Sequence, residues 1–566
     1  MMDRTHLGAP GFTWAVLFLL VFPVRSEAQH MEPPAPAAYA LENVIVVYPD
    51  GREEVGVDII VRRGLIQALG PGVGIPPDAL VLEGDSLRVY PGLVDAYGNV
   101  ELSLPAVEGG EEILSWDPPR DAQGFTPHRL AAQYLSAQGA DLRSERSAGV
   151  IAAGVHPDGG MAPGQGTAVL FRIRTKTSRD LVAQPSVGLF FTFQGARGVY
   201  PGSLFGVIAL FRQMFEDAAR HGLIISEYAR NPAGMAAPRW DPDFEVLRDA
   251  ASGNLPVFFL ADDDEDIRRV LNLASEIGFR PVIVGGEESW QVASELATRD
   301  IPVLLSVAFA NPMDWDPGKE GGGGVGGQAP AFPQSLEPAA AREKERLENA
   351  YATAGRLMEA GVTVALTSGG GQGDLLEGVR KAMEYGLSEG DALRALTITP
   401  AGILGIPHIT TLGPGMAANF IVTDGPLFQE DTGIRYTFVE GEMEKGLDAR
   451  GGGGGAAPSV DVSGSWTVSL NAQGMEMSFD MALFQDGSSF SGSMSSQDMG
   501  ESQIENGSVS GNALTFTIVF SMGADSLEMD SSATVTGDRM TGSGSSPMGS
   551  FTFTATRKPG LEGGIR

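Results

Sequence analysis

The chain has 566 residues, 43% hydrophobic and 19% charged, so it is neither a disordered segment nor a single small domain. A net charge of −32 at pH 7 offers nothing to offset nucleic-acid phosphates or anionic lipid. The absence of cysteine excludes disulfides, thiolate catalysis, zinc–cysteine sites and iron–sulfur clusters.

In chain order, Arg4 and His6 precede an apolar run, Gly11–Val24, and Ser26-Glu27-Ala28 forms a small-x-small cleavage site before Gln29. This pattern predicts a secretory signal peptide over 1–28. A lipoprotein anchor needs a cysteine, and no later segment is apolar enough to span a bilayer, so a periplasmic or secreted protein is expected, off the membrane once cleaved. Residues 29–39 are Pro/Ala-rich. Short β runs follow at Val44–Tyr48, Val57–Val61, Leu65–Leu69, Ala79–Leu82 and Leu87–Tyr90, separated by Gly, Pro and Asp. Residues 29–90 thus read as the first part of a β layer.

From residue 91 the rhythm changes. Three wholly apolar runs open alike, at Pro256, Pro281 and Pro302. Between them lie amphipathic stretches, Asp264–Gly278 and Glu287–Asp300. Further strands are expected at Gly149–Val155, Gly188–Phe193 and Thr363–Ser368, with helices at Phe205–His221 and Pro338–Gly361. Apolar strands alternating with amphipathic helices indicate parallel β/α units, and about eight of them over 91–407 would close a barrel. Gly321–Gly327 would lie at its mouth, as a surface insertion or a lid. It lacks the Lys-Ser/Thr of a phosphate loop. Strands return over 408–446, notably at Asn419–Thr423 and Tyr436–Val439, as the second part of the β layer. A Gly-rich linker spans 447–458 and contains Gly451–Gly455.

Residues 459–557 are rich in Ser, Gly, Thr and Met. Eight alternating strands are expected, from Trp466–Leu470 to Phe551–Arg557, with turns at Asp486-Gly487, Asn506-Gly507 and Gly537-Asp538. Such spacing predicts an up-and-down barrel or a sandwich. Gly464-Ser465-Trp466 on the first strand, with Arg557 on the last, resembles the opening and closing of lipocalin- and avidin-type barrels, where arginine stacks on tryptophan. Met475, Met477 and Met481 share a strand face. They read as adaptable barrel filling, with soft Cu(I) ligation as the alternative.

Four stretches between 41 and 445 resemble the amidohydrolase superfamily, in particular its imidazolonepropionase-like members. They are Gly64–Gly70, Pro91-Gly92-Leu93-Val94-Asp95, Asp391–Gly405, and Gly413-Pro414-Gly415 with Asn419–Val422 and Val439-Glu440-Gly441. The resemblance implies a TIM-type (β/α)8 barrel with a split β-sandwich layer, and an activity class of hydrolysis at non-peptide C–N bonds. It also implies one or two divalent metals held by a His-x-His on the first strand, often a carbamylated Lys, two further His and an Asp. Here the His-x-His positions are Tyr97 and Asn99, and Leu260, Gly285 and Gly369 stand at three other ligand positions. No histidine occurs between His221 and His408, and no lysine between Lys176 and Lys319. The family zinc site is therefore not supported, and no cofactor is expected.

Five polar residues remain at expected strand ends: Tyr97, Asn99, His156, Asp262 and Ser368. They would share one pocket at the C-terminal face. His156 reads either as a general base with Asp262 or as a hydrogen-bonded histidine before Pro157. Asp262–Asp266 reads as a helix cap rather than a calcium loop. Gly159-Gly160 with Gly164-Gln165-Gly166 reads as a loop with close backbone approach, outside the context of a dinucleotide fingerprint. His128 and His221 read as structural and His408 as a loop residue. Ser368 lacks the setting of a nucleophile elbow.

Three functions are consistent with these features. The first is an exported superfamily protein whose metal centre is lost, binding a small amide or peptide-like ligand or an active relative. The second is a divergent hydrolase of an amide or cyclic amide using His156 and Asp262. The third is a scaffold acting through its C-terminal β domain.

Overall fold

A computed structural model describes residues 36–558 apart from 106–113, 137–141, 176, 197, 310–336, 372–373 and 447–459, and the short stretches 473–474, 487–488, 497–499, 511–512, 523–524, 538 and 547–548. The signal segment, the Gly321–Gly327 tract and the Gly451–Gly455 linker lie outside the described residues.

The chain enters as β1 (Ala38–Val47), β2 (Glu53–Arg62), β3 (Leu65–Gly70), β4 (Ala79–Glu83) and β5 (Arg88–Pro91). Apolar residues alternate along β1 and β2, so Leu41, Val44, Val57, Ile59 and Val61 fall on one buried face. A register shift between Leu41 and Val44, with Asn43 at φ 56°, bends β1. Its first half pairs in parallel with β4 and its second half with β5.

The central sheet contains β6 (Leu93–Asp95), β7 (Val150–Val155), β8 (Gly164–Leu170), β9 (Val182–Thr192), β10 (Val257–Ala261), β11 (Pro281–Gly285), β12 (Val303–Ser306) and β13 (Val364–Thr367), each paired with the next. The helices around it are α1 (Leu142–Ser147), α2 (Leu204–Arg230), α3 (Pro242–Ala251), α4 (Asp264–Ile277), α5 (Ala293–Thr298), α6 (Glu337–Glu359), α7 (Leu375–Glu384), α8 (Glu389–Leu396) and α9 (Ile398–Ile403). Neighbouring strand residues face opposite sides and both sides are apolar. Val94, Phe190 and Phe258 point into the barrel, while Leu93, Phe191 and Phe259 meet the helices. Burial on both faces explains the unbroken apolar runs, at about 1.5–3 kcal/mol per large side chain.

The architecture is a mixed α/β barrel of TIM type, but it departs from eight parallel β/α units. β9 to β13 are parallel, as are β6 and β7, whereas β8 runs antiparallel to both β7 and β9. The segment expected as a glycine loop at 164–166 is the start of this extra strand. The ends of the path, β13 and β6, meet through loop bonds. Gly370 N–H donates to the Tyr97 carbonyl at 2.7 Å, and α8 and α9 pack on both strands.

The chain then returns through β14 (Phe420–Thr423), β15 (Ile434–Val439) and β16 (Glu442–Lys445). β14 pairs antiparallel with β5, so segments from both sides of the barrel build one eight-stranded β layer.

Residues 464–557 form a closed antiparallel barrel of eight strands: β17 (Gly464–Ala472), β18 (Met475–Asp486), β19 (Ser489–Ser496), β20 (Gly500–Ser510), β21 (Ala513–Met522), β22 (Asp525–Thr536), β23 (Arg539–Ser546) and β24 (Gly549–Arg557). Asn506-Gly507 is not a turn but lies within β20 at a register shift, where a side chain on Gly507 would meet the Phe490 carbonyl at 2.1 Å. Met481, Met494 and Met540 are buried as barrel filling, while the side chains of Met475 and Met477 lie outside the described residues.

Candidate functional site

The strand ends of the central barrel surround a cavity of about 320 Å³. Tyr97 follows β6, Leu260 and Asp262 flank the end of β10, Gly285 ends β11, Ser306 ends β12 and Gly369 follows β13. Helix α6 supplies Arg346, Leu347 and Ala350, and Phe309 adds an aromatic wall.

Of the five expected residues, Tyr97 and Asp262 share this cavity. Burial raises the Tyr97 pKa, and the charges of Asp158 and Asp262 raise it further. Asp262 is open to solvent by surface area, yet protein crowds its carboxyl. Burial, then the like charges of Glu287, Asp263 and Asp266, pushes its pKa up, with the Gly286 backbone acting in opposition. A side chain on Gly285 would stand 2.1 Å from Asp262 Oδ1, so only glycine fits beside this carboxylate, and φ at Gly285 is +91°. Glu287 faces the same space and is ion-paired with Arg346. The acidic run after Asp262 is otherwise occupied. Asp263 caps α4 by accepting from Asp266 N–H at 2.7 Å, Asp264 pairs with Arg268, and Glu265 and Asp266 pair with Arg269.

The other three residues stand apart from the cavity. Asn99 is exposed and abuts Gly371. Ser368 is buried, and its N–H donates to both Asp95 oxygens at 3.3 Å. His156 is 8% exposed and lies under Tyr97, with ring centroids 4.9 Å from Phe190 and from Phe258. Gly166 makes room for it, since a side chain there would meet its Nδ1 at 2.3 Å. Neither ring nitrogen has a hydrogen-bond partner, so no bond joins His156 to Asp262. The nearby Ala96 backbone favours the charged ring without reaching hydrogen-bond geometry. His128 and His221 are tied into the fold, His128 Nδ1 to Asp243 at 2.6 Å and His221 Nε2 to the Arg239 carbonyl at 2.8 Å.

Burial pushes the His156 pKa from 6.5 down to about 4. Between those values the unfolded chain takes up a proton that the folded chain refuses, so stability falls as pH drops from 6.5 to about 4. The loss is on the order of 3 kcal/mol, and above pH 6.5 it vanishes. His156→Phe is expected to flatten this acid limb while keeping the ring contacts. Urea midpoints of both proteins at several pH values check it; an unchanged acid limb in the variant would refute it.

Sequence reasoning missed Asp95. It is fully buried at the end of β6, accepts from Tyr97 N–H at 3.1 Å and from Ser368, and joins β6 to β13. Burial pushes its pKa up against these bonds. The signal was an acid closing the apolar run Leu93-Val94.

Residues 334–445 match the model of the amidohydrolase family. A dihydroorotase of Geotalea daltonii is 35% identical over 81 residues, and one of Geobacter sulfurreducens is 40% identical over 76 residues. These stretches are 14% and 13% of this chain and 19% and 17% of the relatives, so the chain spans under a fifth of the curated relatives it matches. An amidohydrolase from Thermotoga maritima superposes over 72% of this chain and 99% of its own, with a TM-score of 0.56 and 23% identity. Over residues 334–445 the chain is thus similar in sequence to the amidohydrolase family, and most of the chain shares the fold of the superposed amidohydrolase.

The divalent metals that the amidohydrolase resemblance implies do not fit this donor set. The cavity offers a phenol, two glycines, a leucine, a serine hydroxyl and the Asp262 carboxylate, while Glu287 is paired with Arg346, Asp95 is consumed by Ser368 and Tyr97, and His156 is packed among rings. Among the described residues no three His, Asp or Glu side chains converge as metal ligands would.

Proposed function

We propose that this chain is an exported amidohydrolase-superfamily protein whose barrel has exchanged the metal centre for a ligand-binding cavity, and that it holds a small amide or peptide-like ligand without hydrolysing it. The reading rests on one observation: Tyr97, Leu260, Gly285 and Gly369 ring the cavity at the strand ends. His156, the expected base, lies beneath Tyr97 with no hydrogen-bond partner and is not oriented toward a water in this cavity. The cavity, by contrast, is of the size that small ligands fill. The fold alone assigns no reaction.

Elemental analysis of the purified mature protein tests this. The expected result is less than about a tenth of an equivalent of divalent metal after incubation with zinc or manganese and dialysis. The same sample should give no amide turnover that chelation abolishes. One or two retained equivalents, or chelator-sensitive hydrolysis, would overturn the proposal and return the chain to the hydrolases. Export has a separate readout: the periplasmic form should begin at Gln29 by mass spectrometry.

A further inference from the structure

We propose that the barrel-mouth cavity selects a ligand bearing an ammonium or guanidinium group, with Asp262 as its counter-charge. This deepens the ligand-binding reading above and rests on it.

Charge accounting within the cavity leads there. Arg346, the cation on its wall, is engaged by Glu287. The acids of α4 are engaged by Arg268 and Arg269, and Asp263 is spent as a helix cap. Asp262 is left facing the cavity, and the charges that act on it are all acidic: Glu287, Asp263 and Asp266. A carboxylate crowded by protein and like charge is stabilised by a cation that enters beside it. An anion would meet repulsion, and a neutral amide would gain little from a full charge.

The geometry is set before any ligand arrives. Gly286 N–H donates to the Ala261 carbonyl at 3.0 Å and Glu288 N–H to the Asp262 carbonyl at 2.8 Å, so the backbone is fixed on both sides of the carboxylate. Gly285 leaves the space that Oδ1 occupies, since a side chain there would meet it at 2.1 Å. Little backbone ordering remains to be lost on binding. The Tyr97 and Phe309 rings line the same space, and aromatic faces favour ammonium and guanidinium groups. The free amino end of a peptide-like ligand carries such a group.

Calorimetric titration of the full mature protein tests the assignment with four probes of one chain length: n-butylammonium, n-butylguanidinium, butyrate and N-butylacetamide. Saturable binding of at least one cation is expected, with butyrate silent. Asp262→Asn should weaken it about tenfold or more, while Asp264→Asn, which removes a charge from the same run, should leave it within about twofold. A thermal melt confirms that both variants are folded. Unchanged affinity in Asp262→Asn, butyrate or amide binding as tight as the cations, or no saturable cation binding would each overturn the inference. Amide binding that ignores Asp262 would remove the cation class and leave the ligand-binding function standing. Retained metal would remove that function, whatever the titrations give.

Discussion

Trp466→Ala is expected to destabilise the C-terminal barrel by about 3–5 kcal/mol, the range for truncating a large buried aromatic. Trp466 is 0% exposed, and its indole N–H donates to the Val462 carbonyl at 2.9 Å. It stands opposite Arg557 where β17 and β24 close the barrel, with the guanidinium 4.4 Å above the ring centroid. That guanidinium also donates to the Ser463 and Asp461 carbonyls. Alanine would leave a void, an unpaired carbonyl and an arginine over empty space. Trp466→Phe keeps a ring under the cation but loses the indole bond, so a smaller loss of about 1 kcal/mol is expected. Urea unfolding of the full chain, followed by circular dichroism and by tryptic cleavage within 464–557, reads both. A loss below about 1 kcal/mol for alanine would show that closure does not depend on this stack.

Arg146→Ala is expected to cost about 3–5 kcal/mol, the penalty for breaking a buried ion pair. The Arg146 and Glu444 side chains are 7% and 15% exposed and meet in a two-pronged bond of 2.6 and 3.2 Å. The Arg146 carbonyl also accepts from Thr437 Oγ1 at 2.8 Å. Together these bonds tie α1 to β15 and β16. Arg143, 3.8 Å from the same carboxylate, is placed to take up part of the charge, which favours the lower end of the range. Arg146→Ala combined with Glu444→Ala should cost less than the two single changes added, because removing both partners leaves no buried charge alone. Strict additivity in the denaturation cycle would exclude a direct pairing energy.

The parts of this structure that were legible in the sequence are those dictated by short-range pattern. The runs at Pro256, Pro281 and Pro302 became β10, β11 and β12 because both of their faces are apolar, and the acidic run after Asp262 became the first turn of α4. β8 was not legible because Gly164 and Gly166 interrupt its apolar period. Both glycines are required by neighbours outside the strand, the Arg129 backbone and the His156 ring. Asn506-Gly507 carries a hairpin signal that the Phe490 backbone overrides. At the site, Tyr97 and Asp262 could be placed together because both follow strand ends. The burial of His156 could not, because it depends on Phe190 and Phe258 arriving from other strands.

The sheet built from both sides of the barrel also constrains the order in which the protein can fold. Tyr90, at the edge of β5, accepts through its hydroxyl from Leu427 N–H, 337 residues later. During synthesis, β5 therefore emerges with one edge lacking its native neighbour until nearly the whole barrel has followed. An open strand edge of that kind invites pairing with other chains, and closing so distant a contact is slow. A nascent chain stalled before β14 would present an adhesive edge that the finished protein conceals, so the hazard for this molecule lies in incomplete copies rather than in the mature fold.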